Sequence, residues 1–293
     1  MSLKSLKRRM SAVSTVLGIT REGFFVPHRY AGSVRPIPGY PELEPLFRRA
    51  EPAFREVLAA IDRHADIVGR FDGTRPPLPR WQQDWFPGLD GAAAYAMVRE
   101  ARPARIVEIG SGHSTRFLAR AVIDGGLDTE MLCVDPAPRA DIAGLADALS
   151  IRILNRTLQD AGVEALPALR PGDVLVIDSS HLALPGTDVD LLFGRVLPSL
   201  PAGVLVHVHD VFLPDGYPDS WAWRQYAEQM VVAAWLAAGG LRLRFASHWV
   251  RSRMAAELAA AAAGRIPMSE RAFESSLWAV TAGRVGADPV ADT

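Results

Sequence analysis

The chain has 293 residues, 49% of them apolar, and its 32 basic and 33 acidic side chains nearly cancel. That length supports one or two domains with a full core, and the balance argues against a nucleic-acid partner. The longest apolar stretch, Met230 to Leu241, falls short of the roughly 18 residues a membrane span needs, so no membrane association is expected.

A basic cluster, Lys4, Lys7, Arg8 and Arg9, opens the chain, but it lacks the apolar core and cleavage site of a signal peptide and reads as a solvated end. Cys133 is the only cysteine, so no intrachain disulfide can form, and a cytoplasmic setting is the expectation. Residues 1–90 are proline-rich and carry one helical stretch, about Glu51 to Gly69, in which Phe54, Val57, Leu58, Ile61, Ala65 and Val68 make one apolar face. This reads as an N-terminal helical extension, followed by a main domain over 91–283 and a flexible tail over 284–293. Whether the extension covers its own chain's site or reaches a neighbour in a homo-oligomer is left open.

From Gly91 the pattern alternates. A helix to Arg102 leads into the strand Arg105–Ile109, then come a helix over about Ser114–Ile123 and the strand Glu130–Val134. A helix near Asp141–Leu149, the strand Ile151–Leu154 and a polar helix ending near Leu169 follow. The strand Asp173–Ile177, a helix over Val189–Val196 and the strand Gly203–Val208 continue the pattern. A long helix, Trp221–Ala238, then precedes the strand Leu241–His248. An alanine-rich helix, Met254–Ala263, precedes the last strand, Ser275–Thr281. Short β-branched runs separated by helices predict an α/β fold: a Rossmann-like, doubly wound, seven-stranded sheet.

The most informative run is Arg105 to Thr115. A buried strand ends in Glu108-Ile109, turns through Gly110-Ser111-Gly112 and enters a helix with Ser114 or Thr115 as N-cap. Glycines there let a ligand approach the backbone, and the helix start offers free N–H groups. A dinucleotide site wants a third small residue where Thr115 stands, and its pyrophosphate gains little from a carboxylate at the strand end. A ligand carrying a sulfonium and an ammonium gains more. Asp135 closes the next strand, where it can accept hydrogen bonds from ribose hydroxyls.

With these features the chain resembles the class I S-adenosylmethionine (SAM)-dependent methyltransferases over about Phe86 to Val280. The likeness is narrower to a bacterial small-molecule branch with an EIGSGHST loop, here Glu108–Thr115. Its D-x-x-H segment is here Asp178 to His181, and its H-D dipeptide after the fifth strand is His209-Asp210. The resemblance implies a mostly parallel sheet with an antiparallel last strand, and SAM as cofactor. It places Glu108, Gly110 and Gly112 on the methionine side, with Ser111 and Ser114 also binding the cofactor, Asp135 on the ribose, and Thr157 and Leu158 near the adenine. Asp178 would face both the cofactor and the reacting groups.

Asp178, His181, His209 and Asp210 end the fourth and fifth strands and would converge where the methyl group is transferred. A histidine titrating near neutrality suits removal of a hydroxyl proton, and His181 is the candidate base, with Asp178 and His209 beside it. Asp178 and Asp210 could also hold magnesium, as in metal-dependent relatives, although His209 stands where those carry a carboxylate. His207 is read as a core histidine facing away from His209, and His113 as ordering the glycine loop. Trp81, Trp85 and Phe86, with Tyr217, Trp221, Trp223 and Tyr226, could wall an acceptor or simply pack the extension. The expected reaction is methylation of a small-molecule hydroxyl. A non-catalytic SAM-binding subunit or sensor and an NAD-dependent Rossmann oxidoreductase are the alternatives.

Overall fold

The computed structural model describes residues 3–73, 75–146 and 149–283. The chain separates into two compact units, Met1–Ile37 and Pro38–Thr293; the boundary expected from composition was residue 90. The first unit contains the helix Leu3–Val16 and a short turn of 3-10 helix, Ala31–Ser33, and none of residues 6–37 is buried. The helix expected over 51–69 begins earlier, at Glu44, and runs to Arg63, with Pro45 tolerated in its first turn. It lies in the second unit because Phe54, Val57, Leu58 and Ile61 bury their face, the helix packing on the strand Leu241–Ala246 and the helix Gly88–Ala101. The expected tail, 284–293, lies outside the described residues.

The second unit is built on one seven-stranded sheet: β1 (Arg105–Ile109), β2 (Glu130–Val134), β3 (Ile151–Leu154), β4 (Val174–Ile177), β5 (Leu205–Val208), β6 (Leu241–Ala246) and β7 (Leu277–Thr281). The order is β3-β2-β1-β4-β5-β7-β6, with β7 antiparallel to both its neighbours and the other pairs parallel. Every residue of β4 and β5 is buried. Because successive side chains point to opposite faces, both faces of the sheet centre are covered. Strand order reverses between β1 and β4, and a crevice opens beyond the carboxyl ends of those strands.

Five elements differ from the sequence reading, the first being the polar helix expected to end near Leu169, which is a short helix, Leu158–Ala161, followed by a 3-10 turn, Val163–Ala165. Of the helix expected near Asp141–Leu149, the described residues form only the 3-10 turn Ala143–Leu145; the segment enters through Pro136 and Pro138, and Gly144 weakens helix. The long helix Trp221–Ala238 breaks at Gln225, which is left-handed (φ 55°), into a 3-10 segment, Asp219–Arg224, and the helix Glu228–Ala237. β6 stops at Ala246 and the chain turns into the helix Ser247–Arg253, burying Trp249 and Val250. The alanine-rich helix is shorter than expected, Ala255–Ala260, and continues as a 3-10 turn. Among the described residues no helix is long and apolar enough to cross a membrane.

Candidate active site

The glycine loop leaves β1 under tight constraint. Gly110 is left-handed (φ 81°), and a Cβ there would lie 1.7 Å from the carbonyl oxygen of Asp178. Only a residue without a side chain lets β1 and β4 end so close together. Gly112 precedes the helix His113–Asp124, and its N–H donates to the Thr115 hydroxyl at 2.9 Å. Glu108 is wholly buried and does not line the crevice. Its carboxylate accepts hydrogen bonds from Ser114 Oγ and Thr115 Oγ1, each at 2.6 Å, and from the Cys133 thiol at 3.4 Å. Burial raises its pKa to about 7, against those hydrogen bonds. Glu108 and Ser114 thus fasten the helix start behind the loop.

A cavity of about 340 Å³ lies in front of the loop. Gly110, Ser111, Asp135, Thr157, Leu158 and Asp178 line it, six of the nine residues expected around a cofactor; Glu108, Gly112 and Ser114 do not. One Asp135 oxygen accepts from the Ser111 N–H at 2.6 Å and the other from the Ala137 N–H at 2.7 Å, so the carboxylate is pinned at the cavity edge. Thr157 caps the short helix after β3, accepting from the Asp160 N–H at 3.1 Å. Asp188, which the sequence reading did not single out, also lines the cavity and holds the Ser180 N–H at 2.9 Å.

Asp178 leads from this cavity into a buried cluster. His181 is 3% exposed and left-handed (φ 58°), as is Asp210 (φ 56°), so two non-glycine residues of the site sit in a region that must be held by their surroundings. The His181 Nε2 lies 3.4 Å from Asp178 and 3.5 Å from Asp210, and its Nδ1 lies 2.9 Å from Glu228. Burial alone would lower the His181 pKa; the hydrogen bonds to Asp178 and Glu228 and the charge of Asp210 outweigh it and hold the proton well above the usual histidine range. Burial likewise pushes Asp178 up, and the neighbouring histidines, His209 first, bring it below the ordinary carboxylate range. The Tyr226 ring lies 4.5 Å from the His181 ring, and Arg224 stands 3.8 Å from Asp210 and 4.0 Å over the Trp221 ring.

His209 is buried beside Asp210, its Nε2 lying 3.6 Å from that carboxylate. Its Nε2 donates to the Trp85 carbonyl at 2.8 Å, and its ring packs on Phe86. Burial would lower its pKa, but Asp178, Asp210 and Asp90 raise it. Asp90, wholly buried, accepts from the Ser275 and Ser276 N–H groups, and burial brings its pKa to about 6. His207 is a core histidine, as expected, bonded to Ser276 at 2.9 Å. It does not face away from His209: both rings meet Ser276, because residues two apart on a strand share a face. The His113 ring stacks on Trp85 at 5.4 Å, and burial lowers its pKa to about 4. Trp81 and Phe86 are buried against Phe117, whereas Trp221 and Tyr226 border the cluster.

Asp178 and Asp210 are the oxygen donors this cluster could offer magnesium. The His181 ring nitrogen stands between Asp178 and Asp210, Arg224 already faces Asp210, and the neighbouring His209 is engaged with Trp85. Among the described residues no group of three or more such side chains is arranged to hold a metal ion. Magnesium favours several oxygen donors. Two carboxylates already facing two nitrogen cations do not fit it, so the arrangement does not support the expected Asp178–Asp210 metal pair.

Residues 107–211, β1 through β5 and the dipeptide after it, match the sequence family described as a methyltransferase domain. No curated protein matches the chain. Among solved structures, the O-methyltransferase TomG from Streptomyces achromogenes, in complex with SAM, is 16% identical over 78% of this chain and 90% of its own, with a TM-score of 0.42. The Podospora anserina methyltransferase PaMTH1, bound to SAH, is 14% identical over 88% and 99% at 0.43. The branched-chain polyamine synthase of Thermus thermophilus, in complex with N4-aminopropylspermidine and 5′-methylthioadenosine, is 16% identical over 76% and 64% at 0.44. The matched residues contain the glycine loop, Asp135, the Asp178–His181 segment and His209-Asp210, while Glu228 and Arg224 lie beyond them.

Proposed function

We propose that the methyltransferase domain binds SAM in the cavity before Gly110 and transfers its methyl group to a hydroxyl oxygen of a small-molecule acceptor in a cytoplasmic setting. The observation that carries this is the position of Asp178, which lines the cavity and also lies 3.4 Å from His181. Gly110 and Ser111 present backbone to the methionine portion, Asp135 accepts from the ribose hydroxyls, and Thr157 and Leu158 flank the adenine. Bound there, SAM supplies a methyl group on a positively charged sulfur. The protein's share is alignment and proton removal. The carboxylates of Asp178 and Asp210 orient the acceptor, and His181 Nε2, in the fraction that has lost its proton, takes the hydroxyl proton as the new oxygen–carbon bond forms and the carbon–sulfur bond breaks. Tyr226 and Trp221 give that acceptor an apolar wall.

Calorimetry tests the reading. SAM and S-adenosylhomocysteine are expected to bind and NAD is not; NAD binding without SAM binding would overturn it. Asp135→Ala is expected to weaken SAM binding by about 10–100-fold, the scale of losing hydrogen bonds to a charged group. Asp135→Asn, which keeps an acceptor oxygen, should lose less. Because the donors do not fit magnesium, chelator treatment should leave turnover unchanged in a screen of hydroxylated acceptors with labelled SAM. Turnover that falls with chelator and returns with magnesium would show the metal is needed.

A further inference from the structure

We propose that Glu228 is the positioning residue of this site: its carboxylate holds His181 with the hydrogen on Nδ1, so that Nε2 is the nitrogen turned to Asp178, Asp210 and the acceptor. The inference rests on the reading of His181 as the proton acceptor.

Glu228 opens the helix Glu228–Ala237, 47 residues beyond His181, and its Oε2 lies 2.9 Å from the His181 Nδ1. Burial raises the Glu228 pKa and its bond to the histidine opposes that; once ionised the carboxylate can only accept, so the hydrogen of that bond belongs to the imidazole, and a neutral ring then carries its lone pair on Nε2. The same helix start holds the main chain. The His181 carbonyl accepts from the Ala227 N–H at 2.9 Å and from the Glu228 N–H at 3.2 Å. A left-handed, non-glycine residue needs such restraint to stay where it is. Ring and backbone of His181 are therefore gripped by one short stretch, residues 227–228.

The side chain has no comparable second task. Glu228 is wholly buried, and its other oxygen, Oε1, has no hydrogen-bond partner among the described residues. A half-satisfied buried carboxyl is a poor stabilising device. Its neighbour Gln229 makes the contrast. That side chain accepts from the Phe212 N–H at 3.1 Å and donates to the Asp215 carbonyl at 3.3 Å, tying two loop segments together. Glu228 is committed to the histidine.

The test is nitrogen-15 NMR of the histidine rings in the full chain, with His181 assigned through His181→Asn, alongside S-adenosylhomocysteine binding by calorimetry. In the wild type, above the titration of His181, Nδ1 should be protonated and Nε2 bare. Glu228→Ala should scramble that preference, whereas Glu228→Gln, whose amide oxygen can still accept, should keep it. Affinity for S-adenosylhomocysteine should stay within a few-fold in both variants. With an acceptor found by the labelled-SAM screen, Glu228→Ala should lower kcat by about 10–100-fold with little change in KM, and Glu228→Gln should recover most of it. An unchanged His181 tautomer in a folded Glu228→Ala protein would overturn the inference. Absence of SAM binding by the wild type would instead overturn the proposed function, and the tautomer readout would still decide the role of Glu228.

Discussion

Replacing His181 with alanine is expected to lower turnover by about 10²–10⁴-fold, the usual worth of a general base, while SAM affinity stays within a few-fold. The two effects separate because His181 does not line the cofactor cavity, whereas Asp178 does. The charged groups facing the His181 ring are Asp178, Asp210 and Glu228, with Arg224 behind Asp210. Burial opposes the charged ring, but these carboxylates keep it protonated to well above the ordinary range. The base works only without its proton, so the active fraction grows as pH rises toward that raised pKa and falls as pH drops below it. Wild-type kcat/KM should therefore still be climbing on the alkaline side of neutrality, and His181→Ala should lose that limb. Initial rates with labelled SAM across pH check both statements. A variant with wild-type turnover would remove His181 as the base, and a large loss of SAM affinity would make it a pocket residue.

The sheet and the cofactor loop were legible in the sequence for a simple reason. Strands buried on both faces are written as short, mostly apolar runs, and β1, β2 and β4 are such runs, each followed at once by a residue that lines the cavity. Gly110, Asp135 and Asp178 follow from that rule. The cluster around His181 was only half legible, because its partners come from places where periodicity misleads. Glu228 lies in the middle of a stretch, Trp221–Ala238, that reads as one helix. The break at Gln225 is what makes Glu228 a helix start aimed at His181. That break follows no glycine or proline; Arg224 instead turns toward Asp210 and the Tyr226 hydroxyl. Asp90 was invisible for another reason: its partners, Ser275 and Ser276, are 185 and 186 residues away. The His209 assignment shows a third limit. The dipeptide His209-Asp210 suggested two groups acting together; the two side chains do meet, 3.6 Å apart, but only Asp210 reaches the His181 ring.

The two glycines of the loop, equivalent in the motif, are expected to behave differently when each is changed to alanine. At Gly110 the added Cβ would meet the Asp178 carbonyl oxygen at 1.7 Å and its carbon at 2.7 Å, and the left-handed backbone would be strained as well. Neither neighbour is the free end of a side chain, so β1 or β4 must give way. Strain and overpacking together cost about 2–5 kcal/mol, which corresponds to a fall in Tm of roughly 5–15 °C for a domain of this size. The displaced carbonyl belongs to Asp178, so SAM binding and turnover should be lost along with stability. At Gly112 the nearest atoms, in Arg139 and Ala140, are 3.8 Å from an added Cβ, and the backbone is extended. Gly112→Ala should therefore keep the wild-type Tm within experimental error, since nothing in the chain itself opposes the methyl group. Any loss of SAM affinity in that variant would have to come from the ligand, locating bound SAM against the backbone at Gly112. Thermal melts and calorimetry on the two variants decide the matter. Equal Tm values for Gly110→Ala and wild type would mean that β1 and β4 do not end as closely together as described, and the placement of the cofactor cavity between them would fall with it.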